Sequence, residues 1–392
     1  MQNDVVILSA VRTPLGGFQG VLSSLSAPAL GAHVIAAAVE RATLNSDAID
    51  EVYFGNVVSA GVGQAPARQA ALSAGLPTSV PCTTVSKVCG SGMKAVMQAA
   101  DSIRLGDTNC VVAGGMESMS NAPYLLTKAR AGHRLGHQET KDSLFVDGLE
   151  DAGTGALMGT FGQKTADRFK VSRETMDDFA IESLRRATVA TEKGYLTNEI
   201  APIEVTNRKG SILVSEDEQI ATAKPEKIPK LRPAFKKDGS ITAANSSSIS
   251  DGAAALVLMS QQACSDQSLT PLAHIRGYVS HAQIPEEFTL APIGAMQKLL
   301  KKVGWTVAEV DLFEINEAFA VVTLQAMTEL EIDHDKVNIH GGACAIGHPL
   351  GASGARIIVT LIHALERTGK KKGMASLCIG GGEATAIAIE LV

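Results

Sequence analysis

The sequence predicts an α/β protein made of two similar halves, with a further segment inserted into the first. Three observations carry this reading. Strand-like and helix-like segments alternate over residues 1–118, the alternation stops over 119–249, and it then resumes with segments that resemble the first series. A chain of 392 residues also exceeds one ordinary domain and suits two or three.

In the first series "DVVILSA" is apolar throughout and reads as a strand, while "APALGAHVIAAAVERA" has its apolar residues at helical spacing. The strand "EVYFGNV", the helix "PARQAALSAG", the strand "CTTVSKV", a helix after Cys89 and the strand "NCVVAGG" follow. Alternation of this kind argues for a largely buried sheet under helices. The inserted segment has charged and glycine-containing loops around one amphipathic helix, "SRETMDDFAIESLRRATVATEKG", with Ser172 as N-cap and Gly194 as stop. An insertion of this length suggests a lid or binding subdomain. "DGAAALVLMS" reads as a strand closing the first layer. Then come "PLAHIRGYVSH", "APIGAMQKLLKKVG", "DLFEINEAFAVVTLQAMTEL", "KVNIHGGA", "GASGARIIVTLIHALERTG", "MASLCIGGG" and "TAIAIELV". The expected units are an N-terminal half of residues 1–118 plus 250–270, an inserted domain of 119–249, and a C-terminal half of 271–392. "KVCGSGMKAV" followed by "NCVVAGGMES" has a counterpart in "IGHPLGASGARI" followed by "MASLCIGGGEA". Each is a turn, glycine, a helix, then a strand ending in glycines, which suggests duplication. Cys89 and His348 then occupy corresponding turns.

Composition narrows the function. The formal net charge is −6, with four tyrosines and one tryptophan, so nothing favours nucleic acid. Hydrophobic residues make up 45% of the chain, yet no apolar run reaches the length of a membrane span. "MQNDVVILSAVRTP" lacks the basic and apolar regions of a signal peptide. The six cysteines are scattered, with neither zinc spacing nor a disulfide framework, so the expectation is a cytoplasmic protein with reduced thiols and no metal.

Four segments could carry chemistry: "VCGSG" around Cys89, "NEAF" from Asn316 to Phe319, "GGACAIGHPLGASG" around His348, and "LCIGGGE" around Cys378. A cysteine at a helix N-terminus sits at the positive end of a dipole, which favours thiolate. Attack on an acyl carbon needs that thiolate, a base such as histidine, and donors for the oxyanion. A second cysteine makes sense where another proton must move, as when a carbanion forms beside a thioester. Free cysteines are more often buried and inert, Cys378 follows the apolar "MASL", and His348 between Gly347 and Pro349 could merely bond a turn. Cys82, Cys110, Cys264 and Cys344 read as structural. The residues alone support acyl transfer through cysteine and leave the acyl carrier open.

Taken together, these segments resemble the thiolase family. The likeness runs nearly end to end, through "VVILSAVRTPLGGFQG", "GNVVSAGVGQAPARQAAL", "KVCGSGMKA", "GGMESMSNAPY", "TAANSSSISDGAAALVLM", "NEAFA" and "GGACAIGHPLGASGARI" to "LCIGGGEA". It is most marked for the acetoacetyl-CoA-forming branch. The resemblance implies a five-layered α-β-α-β-α core of two duplicated halves, a loop domain over coenzyme A, and subunits that pair within a tetramer. It implies no permanently bound cofactor, with acetyl-CoA, acetoacetyl-CoA and CoA as substrates and products. Carried over by motif, Cys89 holds the acetyl group and His348 takes its proton and contributes to an oxyanion site. Cys378 exchanges the α-proton, and Asn316 positions an oxyanion-hole water. The amides of Cys89 and Gly380 form the other hole. Ser247 would meet the pantetheine, and Leu149, Met158, Phe235, Ala243, Ala318 and Phe319 would line its tunnel, although Phe235 and Phe319 also read as plain core. Phe288 resembles a residue that tolerates a 2-methyl group.

The chain departs from the family pattern in four places. Leu157 replaces a frequent histidine before Met158, and His340 stands where asparagine is usual. Between Ile220 and Lys227 the family's basic and aromatic residues are missing; Ile220 replaces a potassium-binding tyrosine, and Lys224 and Lys227 could supply a phosphate contact. Thr289 replaces the proline after Phe288. A broad-range degradative 3-ketoacyl-CoA thiolase and a non-catalytic acyl-CoA-binding relative are the competing expectations.

Overall fold

A computed structural model of the chain describes residues 4–207 and 210–392. The first half contains β1 (Val5–Arg12), α1 (Ala27–Arg41), β2 (Glu51–Gly55), α2 (Pro66–Ser73), β3 (Cys82–Val85), α3 (Ser91–Leu105), β4 (Cys110–Ser118) and, after the insertion, β5 (Ser250–Ser260). The insertion carries α4 (Met158–Phe169) and α5 (Arg173–Glu192). The second half runs through β6 (Ala273–Ala282), α6 (Ala291–Val303), β7 (Leu312–Ile315), α7 (Ala320–Leu330), α8 (Leu350–Thr368), β8 (Lys372–Ile379) and β9 (Glu383–Leu391).

Strands β1, β4 and β5 are buried at every residue. They are covered on both faces, which is why their sequences are continuous apolar runs rather than alternating ones. The first half orders its strands β3-β2-β4-β5-β1, and the second orders them β7-β8-β9-β6. A parallel bridge from Phe313 to Val337 stands where the second half would have its counterpart of β3. In both halves the parallel pairs come first and the last two junctions are antiparallel. Strand β5 lies inside its layer, between β4 and β1, so the chain returns from the insertion into the middle of the sheet. The two sheets meet along an edge through Val6 opposite His274 and Ile7 opposite Ala273.

Helices α1 and α2 cover the outer face of the first sheet, and α6 and α7 that of the second. Between the sheets lie α3 and α8, packed in one core with both. The result is the layering α-β-α-β-α. Helix α8 is buried at every position from Leu350 to Leu365, as a helix between two apolar sheets must be. Its contact with α3 is backbone to backbone. A Cβ on Gly354 would lie 2.4 Å from the Met93 nitrogen, and one on Gly92 would lie 2.8 Å from the Ala355 nitrogen. These glycines sit in the first turns of the two helices, so the approach draws the preceding turns together.

In the insertion Ser172 caps α5 by accepting the Thr175 N–H at 3.0 Å, and Gly194 ends the segment with φ +68°. The insertion is fastened to β1 by Arg12, which is fully buried. Arg12 donates to Glu199 at 2.7 Å and to both oxygens of Asp217 at 2.7 and 2.9 Å. Toward the second half, Phe319 stands edge-on to Phe235 and to Phe288, with ring centroids 6.1 and 6.4 Å away. Among the described residues no helix is long and apolar enough to cross a membrane, and all six cysteines are free.

Candidate active site

Cys89 sits in the tight turn between β3 and α3. Ser91 staples this turn, accepting from the Lys87 N–H at 2.8 Å and donating to the Val88 carbonyl at 2.7 Å. Val88 has φ +45°, a strained value for a β-branched residue, and such strain collects at functional sites. The backbone N–H groups of Gly380 and of Cys89 itself face the sulfur. The thiol is nevertheless pushed up to about 11, chiefly by burial and further by the Glu117 carboxyl. These N–H groups favour thiolate, as expected for the turn, but burial outweighs them. In the free protein Cys89 therefore rests as a thiol and needs a base.

His348 holds the corresponding turn before α8, after Gly347 at φ +108°. Its Nδ1 lies 2.6 Å from the Ser353 hydroxyl, which donates to the Pro349 carbonyl at 2.9 Å. Because the serine hydrogen is used there, Nδ1 carries the ring proton and Nε2 is left as a base. Nε2 is buried without a protein partner. Burial, followed by the charge of Arg356, holds the imidazole down to about 3, so it is neutral near pH 7.

Asn316 follows β7 and is 1% exposed. Its Oδ1 accepts from Arg356 at 3.4 Å, and its Nδ2 has no partner. Cys378 lies near the end of β8, wholly buried, with its thiol raised by burial first and then by Cys89, which places the two sulfurs in electrostatic reach of each other.

A cavity of about 470 Å³ opens onto this group. Its wall includes Cys89, His348 and Gly380, and also Leu149, Met158, Phe235, Ala243, Ser247, Phe288, Ala318 and Phe319. Cys378 and Asn316 are not on that wall. They are buried beyond it, Cys378 within the cluster of Phe288, Ala318 and Phe319. Leu157 also lines the cavity, whereas Lys224 and Lys227 are exposed and absent from its wall. Thr289 is buried and bonded to Thr165 at 2.7 Å. His340 accepts from the Arg367 Nε at 2.8 Å, and burial holds its imidazole down to about 4.

Sequence reasoning passed over several residues here. Phe18, Phe145 and Gln219 belong to the cavity wall, with no signal in their surroundings to mark them. Glu117 was legible, being an acid inside the apolar strand "CVVAGGMES". It accepts from the N–H groups of Val57, Val58 and Gly351 at 3.0, 3.2 and 2.8 Å, and burial raises it to about 7. It thereby ties the first turn of α8 to the loop after β2. Among the described residues no cluster of acidic, histidine or cysteine side chains could hold a metal ion.

An apolar tunnel ending at a thiol, a neutral imidazole and unpaired donors suits an extended thioester whose carbonyl must be attacked and whose oxyanion must be held. Comparison with known proteins agrees with that chemistry. Residues 5–262 match the family described as "Thiolase, N-terminal domain" and residues 269–391 match "Thiolase, C-terminal domain". The chain is 51% identical to acetyl-CoA acetyltransferase 2 of Arabidopsis thaliana, over 99% of this chain and 97% of that protein. It is 49% identical to the acetyl-CoA acetyltransferase of Escherichia coli, over 98% of each. The Acat5 thiolase of Ascaris suum, solved in complex with coenzyme A, superposes with a TM-score of 0.95 at 45% identity, covering 99% of this chain and 100% of that one. With duplicated sheets, the Cys89 and His348 turns on one cavity and both domain matches in agreement, the chain belongs to the thiolase family.

Proposed function

We propose that this chain is an acetyl-CoA C-acetyltransferase, which joins two acetyl-CoA to give acetoacetyl-CoA and CoA and runs the reverse thiolysis. The observation that carries the reading is Cys89 and His348 on the wall of one cavity, with Cys378 buried behind it among Phe288, Ala318 and Phe319, which line the same wall. His348 Nε2 takes the Cys89 proton, and the sulfur attacks the acetyl carbonyl. The developing oxyanion is held by the N–H groups of Cys89 and Gly380. CoA leaves with a proton from Cys378. The Cys378 thiolate then takes the α-proton of a second acetyl-CoA, whose enolate oxygen faces His348 Nε2–H and Asn316 Nδ2 directly or through a water. The enolate carbon attacks the acetyl group, the C–S bond to Cys89 breaks, and His348 returns its proton.

Incubation with acetoacetyl-CoA and CoA should yield acetyl-CoA with ping-pong kinetics, and absence of turnover rejects the reading. Cys89→Ala should form no acetyl-enzyme. Cys378→Ala should slow acetylation of Cys89, which loses the acid for CoA, less than it slows condensation, which should fall about 10²- to 10⁴-fold, the span of one general acid–base group. Rapid quench with labelled acetyl-CoA separates the two steps.

Ser247 and the wall residues would guide the pantetheine, and Phe288 would border the acyl end. Lys224 and Lys227, exposed outside the cavity, would supply a phosphate contact. Leu157 gives the acyl end an apolar side, so rates on C4 against longer 3-ketoacyl-CoA esters decide between this reading and the degradative one. A dimer of dimers is supported by the free edge of β3 near the Cys89 turn and by exposed Tyr124, Leu126 and Leu135 on one loop. The six free cysteines fit a cytoplasmic setting. The division into residues 1–118 plus 250–270, 119–249 and 271–392 describes two catalytic halves and a cover.

A further inference from the structure

An arginine in a helix between two apolar sheets is expensive to bury, and α8 carries one at Arg356, 1% exposed. Its contacts differ from those of Arg12, the other large buried cation. Arg12 meets two carboxylates at 2.7 to 2.9 Å. Arg356 reaches only Glu314 at 3.5 Å and the Asn316 Oδ1 at 3.4 Å, and its Nε has no partner. Glu314 in β7 and Asn316 just after it both meet Arg356 of α8 through their side chains.

The two ends of an asparagine amide are nearly the same shape, and its orientation is set by what stands at each. A guanidinium offers donors only. Beside Arg356, therefore, Oδ1 must face the cation and the NH₂ must point away from it, toward the side where Nδ2 is buried without a protein partner. The opposite orientation would set two amide hydrogens against a positive charge. We propose that Arg356, held by Glu314, is a positioning residue that locks the Asn316 amide with Nδ2 directed at the enolate oxygen or its water. This rests on the role given to Asn316 in the proposed reaction. Nothing in "GASGARI" or "FEINEAF" announces the link, because it joins residues 40 positions apart.

The test is a double-mutant cycle in steady-state thiolysis. Arg356→Met should lower kcat about tenfold to a hundredfold, the span of one lost charge-assisted hydrogen bond, while KM for CoA moves less than about threefold. In an Asn316→Ala background the same change should cost at least about fivefold less, the remainder being the lost charge felt by His348. Arg356→Lys, which keeps the cation on a shorter reach, should recover part of the loss and carries the same cycle if Arg356→Met does not fold. An unchanged kcat, or equal losses in both backgrounds, overturns the inference while leaving the reaction in place. A fully active Asn316→Ala enzyme removes the role of Asn316 and that of Arg356 with it.

Discussion

At Cys89 three influences compete for one proton: burial and the Glu117 carboxyl retain it, while the N–H groups of Gly380 and Cys89 favour its loss. The outcome is a thiol that becomes nucleophilic only when His348 accepts the proton, and His348 is fit for this only while Ser353 fixes its Nδ1–H. Ser353→Ala should therefore lower kcat by about tenfold, one hydrogen bond to a group that becomes charged, with KM for CoA little changed. Steady-state thiolysis checks this. At this scale the glycine-flanked turns made Cys89 and His348 legible as candidates, while the role proposed for Asn316 in "NEAF" came only from the family resemblance. Ser353, Glu314 and Arg356 escaped notice because their partners are reached only through the fold. The dipole at Cys89 was legible because it is local to its turn, whereas the burial that outweighs it depends on the whole molecule.

The elements were more legible than the contacts between them. Continuous apolar strands and 3.6-period helices gave the core series, and Ser172 and Gly194 marked α5 correctly. What periodicity could not reveal was that α3 and α8 touch through their backbones, which needs both halves assembled. Gly354→Ala tests the importance of that contact. Its Cβ would fall 2.4 Å from the Met93 nitrogen, where no flexible side chain can give way. Overpacking of this kind should cost about 1–3 kcal/mol of stability. It should also reduce kcat by moving the His348 turn away from the Cys89 turn. Denaturant melts and thiolysis rates on the same preparation report both effects.

For the whole molecule, duplication explains why the site lies where it does: equivalent turns of two halves face each other across a shared helical layer. Buried titratable groups outside that layer shape the molecule's response to pH. His340 is held down to about 4 from an ordinary value near 6.5, so its contribution to stability is complete above pH 6.5 and is lost as pH falls through that window. Over the same range Glu117 and Glu314, raised to about 7 and 8, act in the opposite sense. His340→Asn should therefore lose less thermal stability than the parent between pH 6.5 and 4.5, as melting curves at each pH will show.

The Arg12 clasp has a consequence for how substrate enters. A cover whose Glu199 and Asp217 accept three charge-assisted hydrogen bonds from the buried Arg12 cannot lift from β1 at that point without breaking all three. If that clasp stays shut, an extended substrate has to enter through the mouth of the cavity, and bulk at its tip meets the wall before any bond is made.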